Sequence, residues 1–421
     1  MEGVGPLARP FVGALPYGVR DLFLEEAAQL TSLEDAWRRL FEAWAYQRII
    51  PPTYEHYDVL LAGSGAELEE QVFRVLDREG NILALRSDLT TQVARIVGTK
   101  LYDLPLPLRF YYLASVYRYE EPQAGRQREF RQAGIELIGV DSAEADAEVL
   151  VLAIEALRRA GLAEFQLNVG HLGLFRALAA EAGLGAGHLG EVRAALNRKD
   201  AQGLAEALER ARVRPAVAAA LTRLPGLCGG PEILADAARL SAHPAAHAAV
   251  ERLQAIHAAL TRRELGRHVI YDLGETRGMG YYTGIAFEGF APGLAFPLCS
   301  GGRYDELIGH YGPPRPAVGL ALVTERVRLA LGRGDPALGR PDLLAAAAVA
   351  RDCWRQIEGL RQRGWRVEAD LLERSEADLR ALAARRGIPC LALAATATQV
   401  HWVTAGGDRW LPWDALPEAP R

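Results

Sequence analysis

Residues 118–139 read RYEEPQAGRQREFRQAGIELIG and hold Arg118, Glu120, Glu121, Arg126, Arg128, Glu129, Arg131 and Glu136 in one short stretch. The stretch has the look of two β-rich runs joined by the turn-like EEPQAGRQ. A strand pair with one buried face alternates apolar and polar residues and has no use for this many guanidinium groups. Arginines projecting from one sheet face suit a carboxylate or a phosphate, whose paired oxygens guanidinium binds in bidentate fashion. A solvated charged hairpin is the plainer explanation. Other segments weigh against it. ETRGMGYYTGIAFEGF sets Arg277, glycines and the pair Tyr281 and Tyr282 before a β-rich run, CSGGRYDEL adds a glycine turn with Arg303 and Asp305, and RPAVGLALVTERVRLAL carries Gly319 and Arg326. Singly, each has an ordinary use: tyrosines in a core, glycines in turns, Arg326 as a charge on a helix surface.

These residues need a scaffold, and the hydrophobic periodicity supplies one. Ala36, Leu40, Phe41 and Trp44 recur at helical spacing within 22–46, which predicts a long amphipathic helix. QVFRVLDREGNILALRSD reads as two strands turning at Arg78, Glu79, Gly80 and Asn81, and TTQVARIVGTKLY reads as helix. PLRFYYLASVYRY and REFRQAGIELIG are strands by β-propensity. Asp141 or Ser142 is placed to cap the next helix, with Glu144 completing a capping box from Asp141. Residues 184–262 turn alanine- and leucine-rich without strand signals, an inserted helical subdomain between 1–183 and 263–332. LGRGDPALGRP is a linker, and 341–421, with strand-like DLLAAAA, WRVEADLL and PCLALAA between helical stretches, reads as a small α/β domain. Hairpins in place of regular βαβ alternation give an α+β class with an antiparallel sheet.

Composition narrows the function classes. A chain of 421 residues that is 50% hydrophobic supports more than one core. Its longest apolar run near the end, LLAAAAVA, falls far short of the ~20 residues a membrane span requires, and the Pro- and Gly-bearing N-terminus lacks a signal-peptide pattern. Cys228, Cys299, Cys353 and Cys390 are scattered, as expected of buried thiols in a reducing cytoplasm. A formal charge of −5 gives no basic excess for nucleic acid. His243 and His247 flank Pro244 without a third ligand and read as a helix start, so no metal site is expected. GLGAGHLG has the wrong glycine spacing for a dinucleotide loop, and no cofactor is expected. Only two lysines, Lys100 and Lys199, occur among 48 basic residues, which says nothing of function.

Taken in order, the charged and glycine-rich segments resemble the catalytic domain of class II aminoacyl-tRNA synthetases, and within them histidyl-tRNA synthetase, over about residues 14–332 apart from the helical insertion. Pro52 in IIPPTYE matches the dimer-interface proline of the first class II motif, which implies a homodimer. YRYEEPQAGRQREFRQ resembles the second motif, with Arg118 and Glu120 as its ATP-binding pair and Arg126 and Arg128 in the loop; VGLALVTER resembles the third, with Arg326 as its arginine. RGMGYYTG is similar to a segment peculiar to the histidine enzymes. There the resemblance implies that Arg277 faces the carboxylate and α-phosphate while Tyr281 and Tyr282 line the side-chain pocket. In LRSDLT it implies Asp88 and Thr90 for the amino group, and it places Gln132 and Glu136 against the amine and imidazole. The implied fold is a six-stranded antiparallel sheet flanked by helices. The set also makes chemical sense for free histidine, whose carboxylate, ammonium and imidazole call for a guanidinium, a carboxylate and a further acid or amide near an aromatic wall.

Departures from the synthetase pattern are equally informative. Asp88 stands for a glutamate, Leu89 for a glycine, Arg131 for a histidine, Gly280 for an aspartate and Val323 for the second glycine of the third motif. A valine where ligand meets backbone crowds a nucleotide. LNVGHLGLFRAL, LNRKDAQGL, YYTGIAFEGFAPG, SGGRYDELIG and RPAVGLAL resemble instead the regulatory subunits of ATP phosphoribosyltransferase, non-aminoacylating synthetase paralogues that pair with a short catalytic subunit at the first step of histidine biosynthesis. Residues 341–421 carry 11 arginines and 11 acids, no positive excess for RNA, and look like a degenerate anticodon-binding domain. The expected function is therefore a non-catalytic regulatory subunit with no catalytic residue of its own. It holds histidine with Asp88, Thr90, Arg118, Gln132, Glu136, Arg277, Tyr281 and Tyr282, keeps Glu120, Arg126 and Arg326 as vestiges of a nucleotide site, and binds no tRNA. An active histidyl-tRNA synthetase and a stand-alone amino-acid sensor are the alternatives.

Overall fold

Leu30, Leu33, Trp37, Leu40 and Phe41 follow one another at steps of three or four and form the buried side of the helix Leu24–Ala43. Trp37 is fully enclosed, and its indole N–H, which burial obliges to find an acceptor, donates to the Ala156 carbonyl at 2.9 Å. The computed structural model describes residues 13–63, 71–121, 127–276, 281–332 and 339–419. They fall into two units, one of the described residues in 13–21 and 30–332, the other of 22–29 and 339–419.

The strands of the first unit are β1 (Gln47–Arg48), β2 (Tyr54–His56), β3 (Arg74–Leu76), β4 (Ile82–Leu85), β5 (Leu108–Tyr117), β6 (Glu129–Ile138), β7 (Gln166–His171), β8 (Cys228–Gly229), β9 (Val269–Asp272), β10 (Ile285–Phe290), β11 (Cys299–Arg303) and β12 (Ala317–Val323). Nine of them form one sheet in the order β1-β5-β6-β12-β11-β10-β7-β9-β8, and β2-β4-β3 form a small sheet of three. The run β5-β6-β12-β11-β10-β7 is antiparallel throughout. β1 joins β5, and β9 joins β7, in parallel. The α+β class and its flanked antiparallel sheet are as the sequence implies.

Alternation along the strands divides the core. On β6, Ala133, Ile135 and Leu137 enter the larger cluster with Trp37 and the helix Ala143–Arg159. The even positions Gln132, Gly134 and Glu136 lie on the opposite face, where Phe130 and Ile138 join the cluster that packs Leu89, Val93 and Val97 around the helix Thr90–Lys100. Ser142, not Asp141, caps Ala143–Arg159 by accepting from the Ala145 N–H at 3.2 Å. The expected box is absent because Asp141 pairs with Arg252 and Glu144 with Arg262 and Arg263. Within 184–262 the helices Ala186–Asn197, Ala201–Arg210, Pro215–Arg223 and Pro244–Thr261 bury Leu196, Leu204, Leu221 and Leu253 in the same cluster as Trp37. The two-residue β8, too short to leave a pattern, pairs with β9. Of the four cysteines, Cys228 is exposed and only the other three are buried.

In the second unit β13 (Leu343–Ala345), β14 (Val367–Ala369), β15 (Cys390–Ala395), β16 (Gln399–Thr404) and β17 (Gly407–Pro412) form a sheet in the order β14-β13-β15-β16-β17. The first three are parallel, and β16–β17 add an antiparallel hairpin that the sequence reading did not anticipate.

A buried carboxylate with two arginines links three elements of the first unit. Asp146, fully enclosed in the first turn of Ala143–Arg159, takes Arg303 Nε of β11 on one oxygen at 2.8 Å and Arg252 Nε of the helix Pro244–Thr261 on the other at 2.6 Å. Removing one partner from such a site leaves uncompensated charge in a low-dielectric interior. Asp146→Ala is expected to destabilise the chain by about 3–5 kcal/mol. Urea unfolding with an unchanged midpoint would show that the pair carries no such weight.

Candidate ligand-binding site

Cross-strand register brings together residues that are far apart in the chain. Phe110, Glu136, Gly319, Gly302, Ala286 and Gly170 are successive partners across β5, β6, β12, β11, β10 and β7, so one row of the sheet carries a single long polar side chain beside a nearly bare floor. The glycines are required by what lies over them. A Cβ at Gly319 would run into the Glu136 carboxylate, and one at Gly302 would come within 2.9 Å of the Tyr282 ring.

Glu136 is fully buried. Its Oε1 accepts from the Thr90 hydroxyl at 2.8 Å and from the Tyr112 hydroxyl at 3.3 Å, while Oε2 accepts from the Tyr304 hydroxyl. Burial pushes its pKa up to about 8 against the pull of those donors, and the neighbouring Asp88 charge adds to the rise. Asp88 is itself raised by burial; Arg118 and its hydrogen bond with the Thr91 N–H, at 3.2 Å, oppose the shift. The phenols of Tyr112, Tyr281, Tyr282 and Tyr304 are all held above their ordinary range by burial, so they stay protonated and available as donors.

The walls come from three directions. The Tyr281 and Tyr282 ring centroids are 4.4 Å apart, and Tyr281 meets Tyr304 edge-on at 6.0 Å. Arg118 donates to the Ser87 carbonyl at 2.9 Å and lies over the Phe130 ring at 5.3 Å. Gln132 is 4% exposed and its Oε1 has no partner among the described residues. A buried amide oxygen in that state calls for a donor from a ligand or water. Val323, in register with Gln132 on β12, is buried on the same face and fills the space beside the amide that a glycine would leave open. Beyond Tyr282 the floor continues into a cavity lined by Asn168, Glu275, Glu288 and Ser300.

Of the residues singled out in the sequence, Asp88, Thr90, Arg118, Gln132, Glu136, Tyr281 and Tyr282 therefore gather on or over one sheet face. Arg277 and Arg126 lie outside the described residues. Glu120 is half-buried just past β5, where its carbonyl accepts from Arg128 at 3.2 Å. Arg326 donates to the Pro297 carbonyl at 2.9 Å and lies over Phe296 at 5.5 Å. Arg131, which opened the question of the charged stretch, turns to Glu34, while its backbone N–H donates to Glu325. Tyr112, Tyr304 and the Gly319–Gly302 row escaped the sequence reading, because only strand register reveals that they meet Glu136.

Residues 18–327 match the family model described as histidyl-tRNA synthetase. An ATP phosphoribosyltransferase regulatory subunit of Desulforamulus reducens is 40% identical over 388 residues, 89% of this chain and 95% of that protein. A crystal structure from Bacillus halodurans, described as an ATP phosphoribosyltransferase regulatory subunit/histidyl-tRNA synthetase, superposes with a TM-score of 0.80 at 32% identity, covering 90% of this chain and 97% of that one. Histidyl-tRNA synthetase of Nostoc sp. PCC 7120 has the same fold, with a TM-score of 0.81 at 19% identity over 95% of this chain and 97% of its own. By similarity that runs over most of its length, the chain belongs to the family of ATP phosphoribosyltransferase regulatory subunits, built on the class II fold of histidyl-tRNA synthetase.

Proposed function

We propose that this chain is the regulatory partner of a short ATP phosphoribosyltransferase catalytic subunit in histidine biosynthesis, and that it senses free histidine in the cleft over Glu136. The observation that carries the ligand reading is the enclosed acid. Glu136 sits in a ring of three hydroxyls, beside a Gln132 oxygen unpaired among the described residues and a tyrosine wall, over a nearly bare floor. This is a receptor for a small ligand that brings nitrogen donors and a flat ring. Histidine fits it with its imidazole toward Glu136 and its ammonium toward Asp88, Thr90 and Gln132; Arg118 supplies positive charge for the carboxylate. Val323 supports a ligand without a nucleotide, since it occupies the space beside Gln132. A regulatory effect then requires that histidine bind two states of the assembly with different affinity.

A homodimer through the segment around Pro52 belongs to the same reading. Ile50 and Tyr54, 77% and 60% exposed, and Val75 of the small sheet present apolar surface there for a second copy. Ile50→Asp is expected to shift the chain to monomer in sedimentation velocity, and an unaltered dimer would remove this surface from the interface.

Mixing the purified chain with a short phosphoribosyltransferase catalytic subunit is expected to raise phosphoribosyl transfer, and added histidine to alter it. Robust histidine-dependent pyrophosphate exchange by the chain alone would overturn the regulatory reading in favour of a synthetase. Calorimetric titration tests the ligand. Glu136→Ala is expected to weaken histidine binding by about 1–3 kcal/mol, the cost of leaving a buried polar partner unpaired.

The pH profile identifies which nitrogen Glu136 meets. Between about 6.5, where free imidazole loses its proton, and about 8, where Glu136 ionises, the free pair of acid and neutral imidazole carries one proton, as does the bound pair. Affinity is then flat across that window and falls on both sides, because a proton must be released below it and taken up above it. An ammonium against Glu136 would instead give affinity rising with pH up to about 8, as the carboxyl must first lose its proton.

A further inference from the structure

Tyr281 and Tyr282 enclose the cleft from a segment that is neither helix nor strand, so something else must fix their position. The residue that follows them is unusually well held. Thr283 N–H donates to the Arg303 carbonyl at 2.7 Å, its hydroxyl donates to Asp305 Oδ2 at 3.1 Å, and the same hydroxyl accepts from the Asp305 N–H at 3.0 Å. Immediately before it, the Tyr282 carbonyl accepts from Arg176 at 2.7 Å. Immediately after it, Gly284 lies so close to the Arg303 stem that a Cβ there would meet its Cδ at 2.9 Å.

The clamp does not end at Asp305. Arg303 bridges Asp305 Oδ1 at 3.0 Å and the enclosed Asp146, and Asp146 shares its second oxygen with Arg252 of the helix Pro244–Thr261. Every link is a charge-assisted or backbone hydrogen bond, and Asp146 and Arg303 are almost wholly shielded from water, which keeps the geometry stiff.

We propose that Thr283 is the positioning residue of the Tyr281–Tyr282 wall, and that Asp305 and Arg303 anchor it through Asp146 to the helix Pro244–Thr261. Thr283 needs no contact with ligand for this role. Its two-sided hydroxyl locks the backbone from which both rings project, and a wall displaced by a fraction of an ångström loses both fit and selectivity. The inference rests on the reading of the cleft as a histidine site.

Titration calorimetry of the full chain tests it with L-histidine and with ring-methylated L-histidine. Thr283→Val, which keeps the shape and loses the hydroxyl, is expected to weaken L-histidine binding about tenfold. It should also narrow the preference for histidine over the methylated ligand, since a loosened wall admits the extra methyl. Thr283→Ser keeps the hydroxyl and is expected to restore both affinity and preference. A Thr283→Val protein with wild-type affinity and wild-type preference overturns the positioning role and leaves the histidine site standing. Wild-type affinity in Glu136→Ala strikes at the site itself. Should Thr283→Val fail to fold, Asp305→Asn carries the same expectation, because it weakens the acceptor without changing its size, and wild-type binding in that variant likewise overturns the role.

Discussion

An ionisable carboxyl in the interior of a sheet is costly unless donors surround it, and the constraint of housing Glu136 organises much of the large unit. Three hydroxyls reach it from three places in the chain: Thr90 at the start of a helix, Tyr112 on β5 and Tyr304 just past β11. Room for it exists only because β12 offers Gly319 directly opposite. Each of these residues is fixed in turn by the antiparallel register, since a slip of one position would send Glu136 into the apolar cluster around Trp37 and put Ile135 or Leu137 in the cleft. The hydrogen-bonding demand of one side chain and the pairing of six strands are therefore the same problem.

On the other face of the sheet the interior is apolar and continuous. Trp37, the helix Ala143–Arg159 and the helices of 184–262 share one cluster. Asp146 is a polar exception, and its two arginines tie β11 and the helix Pro244–Thr261 to a single carboxylate. The cleft thus sits on a rigid floor whose underside is packed by the same helices that distinguish this chain from a bare sheet domain.

Much of this was legible in the sequence, and unevenly so. Periodicity located the helix Leu24–Ala43, which buries one side, and the density of β-forming residues located β5 and β6, which are covered on both faces and so do not alternate. Residue chemistry and motif order drew attention to Asp88, Thr90, Gln132, Glu136, Tyr281 and Tyr282, which do lie on or over one face. Pairing was not legible. Nothing in the sequence singled out Tyr112 or Tyr304, whose hydroxyls only the register places on Glu136, and the choice of cap between Asp141 and Ser142 falls to Ser142 because Arg252, more than a hundred residues away, claims Asp141. Within the charged stretch, the partner of Arg131 was equally hidden, since Glu34 lies almost a hundred residues earlier in the chain. The hairpin β16–β17 was missed because its residues alternate weakly and carry mixed polarity.

The row Gly319, Gly302, Ala286 and Gly170 has an implication for how such a cleft can change over time. Its base is main chain from four neighbouring strands, and peptide groups cannot be swapped by mutation. Any new side chain there only subtracts volume. Recognition can drift solely through the rim, at positions such as Asp88, Gln132, Tyr281 and Val323, while the base stays common to every descendant that keeps the strands paired.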